Sequence, residues 1–149
     1  MKRGALALVV MALVILACGS ASGSVPEEMP QALLVTDGTT EKSYSVADLE
    51  ALPASESAFN EVAYKGVSLA VLLADAGFDA GALRAVKAVA ADGYSVNYDP
   101  ALFQRPDVLV AYATADGPLA EEDGTFRMVL PGQEGKLNVR LLAELRVTP

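Results

Sequence analysis

The sequence of 149 residues contains no histidine, no tryptophan and a single cysteine, Cys18. Without histidine there is no imidazole to act as a general base, to ligate a metal or to complete a Ser-His-Asp triad. With one cysteine, no disulfide can form within the chain. No glycine-rich phosphate loop precedes a helix in the context that phosphate binding requires. The residue types that most enzymatic chemistry needs are therefore missing.

Positive charge is also scarce. The chain has 11 Lys and Arg against 19 Asp and Glu, a formal net charge of -8 that becomes -10 once Lys2 and Arg3 are removed with the leader. Such a surface repels phosphate backbones, which argues against a nucleic-acid partner. An acidic balance is equally typical of soluble bacterial domains that have no special partner.

The N-terminal segment is typical of a signal peptide. Lys2 and Arg3 form a short basic region, and residues 4–17 form an almost unbroken apolar run that is too short to span a bilayer comfortably. The run ends in Leu16-Ala17-Cys18, which resembles the bacterial lipobox, although Leu16 is larger than the usual residue there. The alternative is a normally cleaved leader in which the cysteine has no role.

The lipobox reading divides the chain into three parts. Residues 1–17 are predicted to be a lipoprotein signal peptide, and Cys18 is predicted to carry the lipid. Residues 18–30 are small, polar and Pro-marked, which is typical of a flexible tether. The domain proper then occupies 31–149. This arrangement predicts a protein of the cell envelope, anchored by its lipid to the extracytoplasmic face of a bacterial membrane, and it consumes the only thiol.

Two Asp-Gly pairs predict hairpins within the domain. Asp37-Gly38 follows the apolar run 32–36, and Asp92-Gly93 separates the strand-like runs 83–91 and 94–98. Further strands are predicted for 42–46, 56–66, 107–114, 127–131 and 144–148. The run 107–114 is the most strand-like and is predicted to be central.

Helix signals are local and short. Ser45 with Asp48 predicts a capped helix that Pro53 stops, and Ser68 with Gly77 predicts the N-cap and C-cap of a second helix. Single helical turns are predicted for 100–104 and 138–143. With about seven or eight short strands and no βαβ alternation, the fold class is predicted to be α+β, a single β-rich domain with a mixed or antiparallel sheet.

One acidic cluster could carry chemistry. Glu121-Glu122-Asp123 has the oxygen ligands that a hard cation prefers. Such a cluster is more often a solvated loop, and that is the prediction here.

Several segments, taken in order, resemble the molybdopterin-binding domain of the sulfite oxidase family. The resemblance covers nearly all of 31–149 and implies the fold of that domain. It is carried by 45–53 (SVADLEALP), 64–77 (YKGVSLAVLLADAG), Asp92-Gly93-Tyr94, 107–119, 127–132 (RMVLPG) and 135–147.

The sequence departs from this family where the metal is held. Active members ligate molybdenum through a cysteine in the strand after the Leu-Pro helix, and an insertion with polar cofactor contacts follows. Residues 55–63 (SESAFNEVA) stand in this place, contain no cysteine and lead directly into Tyr64-Lys65-Gly66.

The resemblance implies four cofactor-binding residues. Asp92 and Tyr94 lie on the Asp-Gly-Tyr turn, Arg140 falls where the family has a pterin-contacting lysine, and Lys136 lies in the same closing segment. The alternative roles are structural. Asp92 and Tyr94 then form a hairpin turn with an aromatic lid on the core, and Arg140 forms a surface ion pair.

The favoured interpretation is a lipid-anchored, non-catalytic accessory module that binds a small ligand or a partner protein. It has no catalytic residues and no metal, and it is expected to hold no cofactor, molybdopterin being the one that the resemblance would allow. Its expected partners are the membrane, through the lipid, and an envelope redox or binding protein. One alternative is a molybdopterin-dependent oxidoreductase that binds the pterin without a cysteine ligand. Another is a passive structural protein of the envelope.

Overall fold

The structure is a computed structural model that describes residues 31–149, which contain ten β-strands and three α-helices. The strands are β1 (Leu33–Thr36), β2 (Glu41–Tyr44), β3 (Ser55–Phe59), β4 (Val62–Ser68), β5 (Ala85–Ala90), β6 (Ser95–Tyr98), β7 (Leu109–Thr114), β8 (Gly117–Pro118), β9 (Arg127–Val129) and β10 (Leu142–Thr148). The α-helices are α1 (Val46–Glu50), α2 (Leu69–Asp75) and α3 (Pro100–Phe103), and 3-10 turns cover Ala80–Ala82, Glu121–Asp123 and Gly135–Leu137.

The predicted signal peptide (1–17), the lipid on Cys18 and the tether (18–30) lie outside the described residues. None of the helices in 31–149 combines the length and the apolar composition that crossing a bilayer requires.

The strands form two five-stranded sheets. The first sheet has the order β2-β1-β10-β5-β6, in which β1 and β10 are parallel and the other neighbours are antiparallel. The second sheet has the order β3-β4-β7-β8, and β9 also pairs with β7. Two mixed or antiparallel sheets with short helices confirm the predicted α+β, β-rich class.

Strand β7 is central, as predicted, because it is covered on both faces. Val110 and Tyr112 belong to the main hydrophobic cluster, which contains buried side chains of both sheets and of the helices. Leu109 and Ala111 point the opposite way, into a small second cluster with Tyr64. Successive side chains of a strand alternate between its faces, so a strand buried on both sides has a continuous apolar sequence.

The local turn and cap signals fold as predicted. The Ser45 hydroxyl accepts from the Asp48 N–H while the Asp48 carboxylate accepts from the Ser45 N–H, a complete capping box. Both Asp-Gly hairpins form, joining β1 to β2 and β5 to β6. Ser68 is the N-cap of α2 without a side-chain hydrogen bond, and Gly77 follows the C-cap residue with φ of 93°.

The strand predicted for 56–66 is instead a hairpin. Strand β3 ends at Phe59, β4 begins at Val62, and Phe59 pairs with Val62. The connecting residues Asn60 and Glu61 both have positive φ, 49° and 65°. These angles are those of a type I′ turn, which usually carries Gly at its second position, so the pair Asn-Glu gave no turn signal.

The helical turn predicted for 138–143 is also wrong. Leu141 takes a left-handed conformation with φ of 53°, and the extended strand β10 begins at Leu142. The backbone of Leu141 is fixed by distant partners rather than by its own segment. Its N–H donates to the Asp123 carbonyl at 2.9 Å, and its carbonyl accepts from the Ala91 N–H at 2.8 Å.

Candidate functional site

The four residues that the resemblance singled out lie together. Asp92, Tyr94, Lys136 and Arg140 all line one cavity of about 390 Å³, which we call the Tyr94 cavity. Asp92 and Tyr94 come from the β5–β6 turn, Lys136 from the 3-10 turn Gly135–Leu137, and Arg140 from the segment before β10. The tertiary structure therefore brings together residues that are up to 48 positions apart in the chain.

Hydrogen bonds hold these segments against one another. The Tyr94 hydroxyl donates to the Lys136 carbonyl at 2.7 Å. The left-handed Leu141, next to Arg140, links the Ala91 end of the hairpin to the turn that contains Asp123. Non-glycine residues in this conformation are uncommon, and they are kept only where surrounding contacts hold them. The backbone that follows Arg140 is thus held by two other segments of the chain.

The cavity residues differ in how far their polar groups are already engaged. The Asp92 carboxylate accepts a hydrogen bond from the Tyr94 N–H at 3.0 Å and so stabilises the β5–β6 turn. Tyr94 is 47% exposed, so about half of this residue is open to solvent at the cavity. Lys136 lies 2.7 Å from Glu134, a hydrogen bond that raises the pKa of Lys136. Arg140 takes part in none of the ion pairs of residues 31–149, contrary to its alternative role.

A second cavity of about 390 Å³ adjoins the first and was not predicted. We call it the Tyr64 cavity. Its walls come from the β3–β4 hairpin and from the segments around Asp123 and Arg127. The two cavities meet at the residues that line both, and we call the two together the groove and the shared residues its junction: Glu122, Gly135, Asn138 and Arg140.

A buried ion pair forms one wall of the Tyr64 cavity. Arg127 donates to Asp123 at 2.7 Å and to the Tyr64 hydroxyl at 2.9 Å. The Arg127 guanidinium also lies 4.6 Å from the Tyr64 ring centroid and 5.8 Å from that of Phe59. The prediction of a solvated acidic loop is therefore wrong for Asp123, whose side chain is buried with Arg127.

Burial raises the pKa of the Tyr64 hydroxyl, and nearby charges act on it in both directions. Arg127 and Arg140 lower this pKa, whereas Asp123 and Glu122 raise it. The charged residues of the junction therefore lie close enough to act on the same hydroxyl.

Asn138 fixes the floor of the groove. Its side-chain oxygen accepts from the Leu130 N–H at 2.7 Å, and its amide donates to the Glu134 carbonyl at 3.1 Å. These bonds satisfy the polar side chain, which is 3% exposed, and they pin the loop that carries Gly135 and Lys136.

Fold and site together define the chain as a small molybdopterin-domain-type scaffold. The model of the oxidoreductase molybdopterin binding domain family matches residues 24–149, and the chain belongs to that family. This confirms the resemblance drawn from the sequence motifs. No curated protein matches the chain.

Among solved structures, the chain is similar to the crystal structure of the sulfane dehydrogenase SoxCD from Paracoccus pantotrophus. The TM-score is 0.69 at 20% sequence identity, and the match covers 85% of this chain. The chain spans 40% of the length of that neighbour. At this identity the likeness concerns the fold alone.

The described residues fit the family's metal-bearing cofactor poorly. Residues 31–149 contain no cysteine, and no cluster of three or more His, Cys, Asp or Glu within them could hold a metal ion. The turn at Asn60 and Glu61 lies in the segment 55–63, where the sequence resemblance places the family's cysteine. A phosphate group at Arg140 would also meet two carboxylates, Asp92 and Glu122, which line the same cavity.

Sequence reasoning missed Tyr64, Asn138 and the pair of Asp123 with Arg127. A signal for the pair was present, because Arg127 begins an otherwise apolar strand, RMV, in which all three residues are buried. A charged residue in a buried strand requires a partner.

Proposed function

We propose that this chain is a non-catalytic binding module of the bacterial cell envelope. It keeps the molybdopterin-domain fold, uses the groove to bind a small ligand or a segment of a partner protein, and performs no redox reaction. The observation that carries this proposal is the groove itself. Its recognition groups converge, while residues 31–149 supply no thiolate for molybdenum.

The chemical argument is that cofactor and protein have different roles in a cofactor-dependent enzyme. In such enzymes the cofactor performs the electron transfer, and the protein contributes binding, orientation and electrostatics. A chain that has the cavity but no metal ligand can still bind a ligand, but it cannot support electron transfer at molybdenum. Asn138 and Leu141 still hold the cavity walls in place through hydrogen bonds to distant backbone groups.

The proposal includes a lipid on Cys18, which would hold the domain at the extracytoplasmic face of a membrane. The support is the basic start, the apolar run 4–17 and the single cysteine directly after it. Wild-type protein should fractionate with membranes and show the mass of a diacylated cysteine at its N-terminus. Cys18→Ser should lose the mass of the diacylated cysteine, because no thiol remains to carry the lipid, and it should keep the leader 1–17. Ser20→Ala, as the matched control, should be processed and lipidated as the wild type is. Wild-type protein that carries no acyl mass on Cys18, or whose mature N-terminus lies at another residue, would contradict the lipid anchor.

A second function has one observation in its favour. Lys136 and Arg140 line the same cavity, so the groove offers two cations to a phosphate-bearing pterin. The second candidate is therefore a molybdopterin-dependent oxidoreductase that holds the pterin without a cysteine ligand.

One experiment separates the two functions. The full chain, extracted in detergent from a molybdenum-replete host that makes the cofactor, is examined by native mass spectrometry and elemental analysis. A mass equal to the lipidated polypeptide without molybdenum supports the binding module. A mass increment of a pterin that disappears in Arg140→Gln, but not in the matched control Arg146→Gln, would overturn it in favour of the oxidoreductase.

A further inference from the structure

We propose that the groove binds a free amino acid as its zwitterion, with the carboxylate at Arg140 and the ammonium group at Glu122. This inference rests on the proposed binding function and adds the class of ligand. It concerns the junction of the Tyr94 and Tyr64 cavities. It also concerns the apolar side of the Tyr64 cavity, which is formed by Phe59, Val62 and Tyr64.

The first argument is the balance of charge in the Tyr64 cavity. Four charged residues line it, and two of them, Asp123 and Arg127, neutralise each other at 2.7 Å. The remaining two, Glu122 and Arg140, are exposed and belong to none of the ion pairs in 31–149. The cavity thus presents one charge of each sign to a ligand, which matches a zwitterion.

The second argument is the place of these two residues. Both line the Tyr94 cavity as well as the Tyr64 cavity, so both stand at the junction. Arginine presents a planar fork of donors that a carboxylate accepts in two parallel hydrogen bonds. In the adjoining Tyr94 cavity Asp92 adds a second carboxylate, whereas the further cation there, Lys136, is paired with Glu134 at 2.7 Å. This balance favours an ammonium group over a polyanion.

The third argument is the apolar wall. Phe59, Val62 and Tyr64 line the Tyr64 cavity, and Val62 is among the few large hydrophobic side chains that are strongly exposed in 31–149, at 39%. The Arg127 guanidinium lies 4.6 Å from the centroid of the buried Tyr64 ring and 5.8 Å from that of Phe59, so Val62 and the half-buried Phe59 supply most of the accessible apolar surface. Such a wall suits an apolar or aromatic ligand side chain, as in leucine or phenylalanine.

The test is a binding measurement on the full chain in detergent. Isothermal titration calorimetry and thermal unfolding are carried out with each standard amino acid at millimolar concentration. L-leucine and L-phenylalanine are expected to bind and to raise the melting temperature. N-acetyl-leucine lacks the ammonium group and leucinamide lacks the carboxylate, and each is expected to bind about tenfold more weakly or worse, because one charge-assisted contact is lost.

Variants assign the two contacts. Arg140→Gln should weaken leucine binding about tenfold or more and remove the preference for leucine over leucinamide. Glu122→Gln should do the same for the preference over N-acetyl-leucine. The matched controls are Arg146→Gln, on β10, and Glu121→Gln, the neighbouring exposed acid, and both should bind leucine as the wild type does.

Absence of binding by any standard amino acid would overturn the inference, as would equal binding of leucine and its two blocked forms. Neither result touches the proposed binding module, which the mass and molybdenum content of the purified chain decide. Conversely, a co-purified pterin would overturn the proposed function whatever the amino-acid titrations show.

Discussion

The Arg127 Nη1 atom lies 2.7 Å from the Asp123 Oδ1 atom, and the two side chains are only 5% and 7% exposed. The Tyr64 hydroxyl accepts a second hydrogen bond from the same nitrogen at 2.9 Å. Two charges withdrawn from water are stable only while both remain and their hydrogen bonds are satisfied. No buried side-chain polar atom in the described residues lacks a partner.

Removing one member of this pair should destabilise the domain strongly. We expect Asp123→Asn and Arg127→Met each to lower the free energy of unfolding by about 3–5 kcal/mol, because the remaining charge stays buried without its partner. The double variant should cost less than the sum of the two. Urea denaturation of the four proteins measures this, with Lys136→Met, from the exposed pair with Glu134, as a control that changes little. Additive losses would show that the two charges are not coupled.

The close approach of β4 and β7 requires glycine at position 66. A Cβ atom built on Gly66 would lie 2.1 Å from the Val110 carbonyl oxygen, beside the register shift between the two strands. We expect Gly66→Ala to lower the free energy of unfolding by about 3 kcal/mol, since the strands must separate.

The control for this change is Gly135→Ala. A Cβ atom there meets only the Phe59 ring at 4.0 Å, and little loss of stability is expected. Equal melting temperatures for the two variants would contradict the assigned strand contact.

The β3–β4 turn should be improved by glycine. Glu61 has φ of 65°, which costs a residue with a Cβ atom more than it costs glycine. We expect Glu61→Gly to raise the free energy of unfolding by about 0.5–1 kcal/mol, as in an Asn-Gly type I′ turn. The same change at Glu56, in the interior of β3, should instead destabilise. Destabilisation by both would mean that the turn conformation does not limit stability.

Ionisation of two buried tyrosines should lower the free energy of unfolding at alkaline pH. Burial raises the pKa of Tyr44 to about 12, and burial also raises the pKa of Tyr98, whose hydroxyl donates to the Leu137 carbonyl at 2.6 Å. The folded chain therefore holds these protons where the unfolded chain, with tyrosine pKa near 10, releases them. The free energy of unfolding should be level below about pH 10 and fall as the pH rises from 10 to 12 and beyond.

Tyrosinate absorbance and urea denaturation across this range measure both effects. The Tyr98→Phe variant should lose stability at neutral pH by about 1–3 kcal/mol, because the Leu137 carbonyl loses its donor. It should also show a shallower alkaline fall. Complete ionisation of every tyrosine near pH 10 without unfolding would contradict the assigned burial.

Part of this structure could be read from short stretches of sequence. The Asp-Gly pairs at 37–38 and 92–93 and the capping box of Ser45 with Asp48 depend on a few neighbouring residues, so they form as predicted. The turn at Asn60 and the conformation of Leu141 escaped prediction because both have positive φ without glycine. Hydrogen bonds to Asp123 and Ala91, distant in sequence, hold Leu141 there.

The sequence by itself determined the family, the α+β class and the absence of a thiolate in the domain, because ordered motifs and composition record these directly. Only the tertiary structure decided that Asp92, Tyr94, Lys136 and Arg140 share one cavity, and that Asp123 is buried with Arg127. The pairing of β1 with β10 joins the two ends of the domain in parallel. Such contacts depend on which distant segments pack together, and no local pattern encodes that choice.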